Sequence, residues 1–239
     1  MINFFKSTVN KILNKFGYVI SKKRSGFSLN NDLRWLQEIE INTVFDIGAN
    51  DGGFAKFISR IFPAARIYSF EPIPECYYKL KDIALNLNVV PLNYALGDFD
   101  GESEFNFNKF TYSSSFLEIS DNSVKNFPFT KEQKISKVIV KRLDSVINDF
   151  EINGKVLVKI DVQGFEDKVL SGGNDFFRNI PTMVVIECSI QNLYVGEPLF
   201  DDIYAKMLQL GYSYFGNLDQ LYSPLNGEIL QADAIFIRN

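Results

Sequence analysis

The sequence predicts an α/β fold, a doubly wound parallel sheet with helices on both faces. Three observations lead there. From residue 43 to residue 97, short β-rich runs alternate with helical patterns, and such alternation builds right-handed βαβ units. Two later runs, GKVLVKIDVQG (154–164) and PTMVVIECS (181–189), are nearly continuous in apolar residues, as strands buried on both faces are. Pro91 interrupts the third run, where its missing N–H confines that strand to the sheet edge.

The elements follow in order. Ile2, Phe5, Val9, Ile12, Phe16 and Val19 recur at helical spacing with lysines between them, an amphipathic helix. Two readings stand for it: a peripheral membrane contact through residues 1–20, or a helix packed on the domain itself or on a partner subunit of a homo-oligomer. SKKRSG (21–26) is a linker, so residues 1–24 precede a domain over 25–239. Residues 31–40 suggest a helix. TVFDIG is the first strand, and GGFAKFISRIF is a helix that ends before Pro63. ARIYSFEP (65–72) is the second strand, followed by a helix at 74–87 with proline at its start. NVVPLNYALG (88–97) is the third strand.

The alternation then breaks. GDFDGESEFNFN (97–108) and KVIVKRL (137–143) have period-2 patterning and suggest a small antiparallel insertion, with TYSSSF (111–116) in a loop between them. Residues 119–135 are polar and are expected to be irregular, a lid. GFEDKVLSGGNDFF is a helical crossover between the two buried strands. DDIYAKMLQLGY (201–212) is a helix ended by glycine, and YSYFG with DAIFIRN forms a closing hairpin.

Composition removes several chemistries. The chain has 239 residues and no histidine, which excludes a Ser-His-Asp triad, a histidine base and every histidine-ligated metal site. Its two cysteines, Cys76 and Cys188, form no CxxC pair, so zinc and a disulfide framework are not expected. No apolar run nears the ~20 residues that span a bilayer, and none near the start resembles a secretory leader. The cytoplasm is the expected compartment, with peripheral membrane contact as the alternative. Residues 1–24 hold six basic residues and no acid. The remainder therefore carries −10 of the net −4, and an acidic body argues against a nucleic-acid partner.

The chemistry centres on VFDIGANDGGFAKF (44–57). A dinucleotide turn has G-x-G-x-x-G, whose middle glycine lets the backbone approach a pyrophosphate. Here the three positions hold Gly48, Asn50 and Gly53, and the middle one fails. A nucleoside cofactor without phosphates relaxes that requirement, and S-adenosylmethionine (SAM) is one. Its amino-acid end suits the Gly48–Gly52 backbone, with Asp46 placed for a cationic amine. Glu71 ends the second strand, where a carboxylate accepts both ribose hydroxyls; that fits NAD as well, so only the failed glycine code separates the two readings.

FDIGANDGGF, YSFEPIPECYYKL, LNYALGD, SSSFL, VKRLDSV, VKIDVQGFEDKVLSGG and VVIE, in this order, resemble the FkbM family of SAM-dependent methyltransferases over residues 42 to about 215. The resemblance implies a class I methyltransferase fold, a Rossmann-like seven-stranded sheet of order 3-2-1-4-5-7-6 with strand 7 antiparallel. It implies O-methylation of a hydroxyl on a sugar, glycan or secondary metabolite. It also places a cofactor set on Asp46, Gly48, Asn50, Gly52, Phe54, Glu71, Pro72, Ala95, Leu96, Asp161 and Gln163. The family usually has KIDVEG, and this chain departs from it with Gln163.

A sugar hydroxyl is a weak acid, so a group must take its proton. Asp161, at the carboxyl end of the fourth sheet strand, is the first candidate. Glu187 ends the neighbouring strand, and Glu166 stands one helical turn on. Asp161 and Glu187 together are also candidate ligands for Mg²⁺. Asp144 is expected to cap residues 145–150. Two other readings remain: an NAD(P)-dependent oxidoreductase or epimerase on a similar sheet, and a non-catalytic SAM-binding relative.

Overall fold

A computed structural model describes residues 34–238. The helix expected over 1–20 and the linker at 21–26 lie outside the described residues. Of the helix expected at 31–40, a single turn is described, α1 (Arg34–Gln37).

The chain then alternates as expected: β1 (Ile41–Ile47), α2 (Gly53–Ile61), β2 (Arg66–Phe70), α3 (Pro74–Ala84) and β3 (Val89–Leu92). A small sheet follows, made by β4 (Ala95–Leu96), β5 (Gly101–Asn108) and β6 (Gln133–Lys141), with the short helix α4 (Asp121–Asn126) between the last two. After α5 (Leu143–Val146) the main sheet resumes with β7 (Lys155–Ile160). Two short helices, α6 (Glu166–Gly172) and α7 (Asn174–Asn179), cross to β8 (Met183–Ser189). The chain closes with α8 (Phe200–Gln209) and the hairpin of β9 (Tyr212–Tyr222) and β10 (Ile229–Arg238).

The seven-stranded sheet runs β3-β2-β1-β7-β8-β10-β9, with β10 antiparallel to both neighbours. Counting its strands along the chain gives the order 3-2-1-4-5-7-6 that the family resemblance implies. Pro91 lies on β3, which among the described residues pairs only with β2, at the edge. Side chains alternate across the sheet. Phe45, Ile47, Val158, Ile160, Val184 and Ile186 pack toward α6, α7 and α8. Val44, Leu157, Met183, Val185 and Ile235 pack toward α1 and α2.

Three expectations need correction. The run 88–97 is two strands. The Asn93 side-chain amide donates to the carbonyls of Glu71 and Pro72, and beyond it β4 leaves the main sheet to pair in parallel with β6. The insertion is therefore antiparallel only between β5 and β6. Residues 119–135 are ordered into secondary structure: Ser120 caps α4 by accepting from the Ser123 amide, and Ile119 and Phe127 pack on Leu193, Tyr194 and Leu230. Asp144 caps a different helix from the expected one. Its carboxylate accepts from the amides of Asp175 and Phe176 at the start of α7, at 3.1 and 3.0 Å.

The crossover packs tightly against the small sheet. A Cβ added to Gly172, at the end of α6, would lie 1.7 Å from the Gly97 carbonyl oxygen. Gly172→Ala is expected to destabilise the fold by about 1–3 kcal/mol, or roughly 2–12 °C in Tm, as overpacking does. Unchanged melting in differential scanning calorimetry would contradict this packing.

Candidate active site

Four N–H groups of the β1–α2 turn are taken within the fold. The amides of Gly48 and Ala49 both donate to the Phe70 carbonyl at 3.0 Å, and Gly52 donates to Ala49 at 2.9 Å. The Asn50 amide donates to Glu71 Oε2 at 2.8 Å. Gly48 has φ +83°, and a Cβ there would lie 1.9 Å from the Asp161 carbonyl oxygen. The glycine is thus required by the close approach of two strand ends. Asn50 is also left-handed, at φ +46°. Its Oδ1 accepts from the Thr111 hydroxyl at 3.0 Å and from the Cys76 thiol at 3.3 Å, so it pins the insertion to the turn.

A cavity of about 340 Å³ opens beside this turn. That volume lies within the range of small-molecule sites. All the expected cofactor residues line it except Gly52, which instead packs against Ile83 and Leu80 of α3. Glu71 is buried, and its Oε1 accepts from the Ile73 amide at 2.8 Å. Burial pushes its carboxyl up to about 7, against the pull of these two amides. Asp46 is buried as well and accepts from the Ser69 hydroxyl at 3.2 Å. Burial raises it too to about 7, opposed by the charge of Lys159.

Strand register assembles the acids. Asp46 on β1 is the register partner of Lys159 on β7, and Glu187 on β8 faces Asp233 on β10. These four continue the sheet face that carries Val44, Leu157, Val185 and Ile235, beyond its apolar layer. Lys159 Nζ lies 2.7 Å from Asp233 Oδ1 and 3.3 Å from Asp161 Oδ2. Burial works against its charge, but Asp161, Asp233 and Glu187 outweigh that and hold the ammonium protonated above lysine's ordinary range. Burial, then the charge of Asp161, raises Glu187 well above the ordinary carboxylate range.

Gln163 joins the two predicted catalytic acids. Its Nε2 donates to Asp161 Oδ1 at 2.7 Å and to Glu187 Oε2 at 2.6 Å, and its Oε1 accepts from the Tyr194 hydroxyl at 2.7 Å. Asp161 and Glu187 are thus brought together as expected, but bridged by an amide. Asp161 lines the cavity with its side chain a third exposed. Glu187 does not line it, and neither does Glu166. Glu166 is buried in the turn after β7, where one of its oxygens accepts from the amides of Val162 and Gly164. Burial raises its carboxyl to about 8.

Sequence reasoning missed Lys159, Asp233 and Tyr194. Lys159 did carry a signal: a lysine inside an otherwise apolar central strand needs buried acids around it. Tyr194 and Asp233 lie on segments that only the tertiary fold brings to the site.

The family model for the methyltransferase FkbM domain matches residues 46–214. The 2-O-methyltransferase NoeI of Sinorhizobium fredii (strain NBRC 101917 / NGR234) is 24% identical over 197 residues, covering 77% of this chain and 79% of NoeI. The methyltransferase sdnD of Sordaria araneosa is 28% identical over 168 residues, covering 60% of this chain and 65% of sdnD. Among solved structures, methyltransferase FkbM from Methylobacillus flagellatus KT superposes with a TM-score of 0.52 at 13% identity. The match covers 83% of this chain and 44% of that one, so this chain spans less than half of that protein and the likeness is one of fold.

Removing the buried cation tests the cluster. Lys159→Met leaves Asp233 and Asp161 without their counter-charge, and breaking a buried pair costs about 3–5 kcal/mol. The deficit should be largest above neutral pH and shrink on acidification, because Asp233 and Glu187, already raised by burial, then take protons. A pH-independent loss in urea melts would contradict the charge argument.

Proposed function

The chain belongs to the FkbM methyltransferase family, and from that premise we propose that it transfers a methyl group from SAM to a hydroxyl oxygen of a sugar, glycan or secondary metabolite. One observation carries the cofactor reading. Four amides of the β1–α2 turn, those of Gly48, Ala49, Asn50 and Gly52, are taken within the fold, and Asp46 and Glu71 bring two buried carboxylates from the ends of β1 and β2 to the cavity. A pyrophosphate needs free amides and is repelled by carboxylates, which disfavours the NAD(P) reading. A cationic, ribose-bearing ligand suits both. The name of NoeI, a 2-O-methyltransferase, supports oxygen as the acceptor atom.

The donor set fits SAM. Each Glu71 oxygen takes one backbone amide and keeps lone pairs for ribose hydroxyls. Asp46 offers a carboxylate to the methionyl amine, and Ala95 and Leu96 give apolar wall for the base. When bound, SAM supplies an already activated methyl, so the protein's main task is alignment. Asp161 is the group we assign to take the acceptor's hydroxyl proton, since it alone of the three predicted acids lines the cavity. Lys159 and Gln163 hold one oxygen each of that carboxylate. Glu187 stays behind it as a partner of Gln163 and Gln231. Residues 25–239 are proposed as the catalytic domain and residues 1–24 as accessory to it. Among the described residues no helix is long and apolar enough to cross a membrane.

Because Glu71 and Asp46 ionise near 7, affinity for S-adenosylhomocysteine (SAH) should rise between about pH 6 and about pH 8, with protons released on binding. The same raised values make the unliganded fold lose stability as pH rises from the ordinary carboxylate range through about 7. Glu71→Gln should weaken SAH by about 1.5–3 kcal/mol, the worth of hydrogen bonds to a charged acceptor. Calorimetry with unchanged affinity would remove Glu71 from the site.

Methyl transfer from labelled SAM to nucleotide sugars and glycan fragments tests the activity itself. Asp161→Asn should bind SAH nearly as the wild type does and lose roughly 10²–10⁴-fold in kcat, as loss of a general base does. Turnover close to wild type would move the role to another group.

A further inference from the structure

We propose that Gln163 does the work of a cation, joining Asp161 and Glu187 through its side-chain amide so that Asp161 is held in place without a metal ion. The proposal rests on the reading of Asp161 as the base.

The backbone around Gln163 is clamped on several sides. Gln163 and Gly164 are both left-handed, at φ +58° and +93°, in a tight turn between β7 and α6. Glu166 takes the amides on either side, those of Val162 and Gly164. The Ser115 hydroxyl donates to the Gln163 carbonyl oxygen. The side chain is therefore aimed by three elements: the turn, the start of α6 and the insertion.

Its polar capacity facing the cluster is fully used. An amide nitrogen carries two hydrogens, and here one goes to each carboxylate. This amide orientation matches its surroundings, with both hydrogens on carboxyl oxygens and the oxygen on the Tyr194 hydroxyl. Burial, then the negative charge of Glu187, holds the Tyr194 phenol protonated and able to donate.

A divalent cation has the opposite requirement. It needs carboxylate oxygens converging on an open point, at about 2.0–2.1 Å for Mg²⁺. Among the described residues one group of acids has the spacing for this, Asp161, Glu187 and Asp233. Gln163 Nε2 stands between the first two, and Lys159 Nζ stands between the first and third. An entering ion would have to displace the amide and sit beside a buried ammonium. With glutamate at 163, a third carboxylate would converge on the same point, and a divalent ion would gain a ligand in place of a competitor.

Mn²⁺ titration of the full chain tests this and needs neither SAM nor acceptor, so its failure is separate from failure of the methyl-transfer reading. Wild type should show no saturable Mn²⁺ site, and chelation should leave its turnover unchanged. Gln163→Glu should gain a one-to-one site at least about tenfold tighter than any wild-type binding, a difference of about 1.4 kcal/mol, and Gln163→Glu/Glu187→Gln should lose it. Gln163→Leu should lower kcat by roughly 10²-fold through misplacement of Asp161, a larger effect than any on KM for SAM. Wild-type Mn²⁺ binding that Asp161→Asn abolishes would overturn the proposal, whether or not Gln163→Glu folds. A folded Gln163→Glu without a Mn²⁺ site would overturn it as well.

Discussion

Two strand ends meet in this protein with no room for a side chain between them. Gly48, leaving β1, lies against the carbonyl of Asp161, leaving β7, and the Asp161 amide donates to the Ile47 carbonyl at 2.9 Å. The contact ties the cofactor turn to the acidic cluster. It fixes where Asp46 and Asp161 stand relative to each other beside the cavity. Gly48 and Ala49 also hang from the Phe70 carbonyl, which draws the end of β2, and with it Glu71, into the same corner. Three central strands thus deliver three carboxylates to one cavity because their backbones are bonded just below it.

Burying that much negative charge is costly, and the fold offsets the cost in two ways. Close to the turn, backbone amides are spent on Glu71 and on Glu166. Farther along, Lys159 and the amides of Gln163 and Gln231 serve Asp161, Asp233 and Glu187. The net effect on Asp46 and Glu71 is still to favour the protonated form. A ligand that brings positive charge and hydroxyl donors to them relieves this cost. On the proposed SAM reading Asn50 is tolerated where a dinucleotide turn has glycine, because a ligand without phosphates does not need that backbone, and its side chain anchors Thr111 of the insertion.

Much of this was legible in the sequence because it depends on local rules. Proline on a strand means an edge, and Pro91 is at one. An acid just past an apolar run means a strand end at the sheet's crevice, and Asp46, Glu71 and Asp161 all line the cavity. What was not legible depends on long-range register or on one side chain redirecting the chain. Asn93 splits an apparently single strand by bonding to Glu71 and Pro72. Asp144 caps a helix thirty residues away instead of its own. Tyr194 reaches Gln163 only because residues 190–199 fold back over β8, held by Glu197, which accepts from the amides of Leu193 and Tyr194. Lys159 was readable in principle, since a lone lysine in a buried strand requires acids, but its partners on β10 were not.

In the proposed function the turn is built for a cationic nucleoside and against a pyrophosphate. Side-by-side thermal melts of the full chain with SAH and with NAD⁺ test it most directly, because a ligand that binds only the folded state raises Tm in proportion to RT ln(1 + [L]/Kd). The account predicts a concentration-dependent rise with SAH and none with NAD⁺. A rise with NAD⁺ and none with SAH would contradict it.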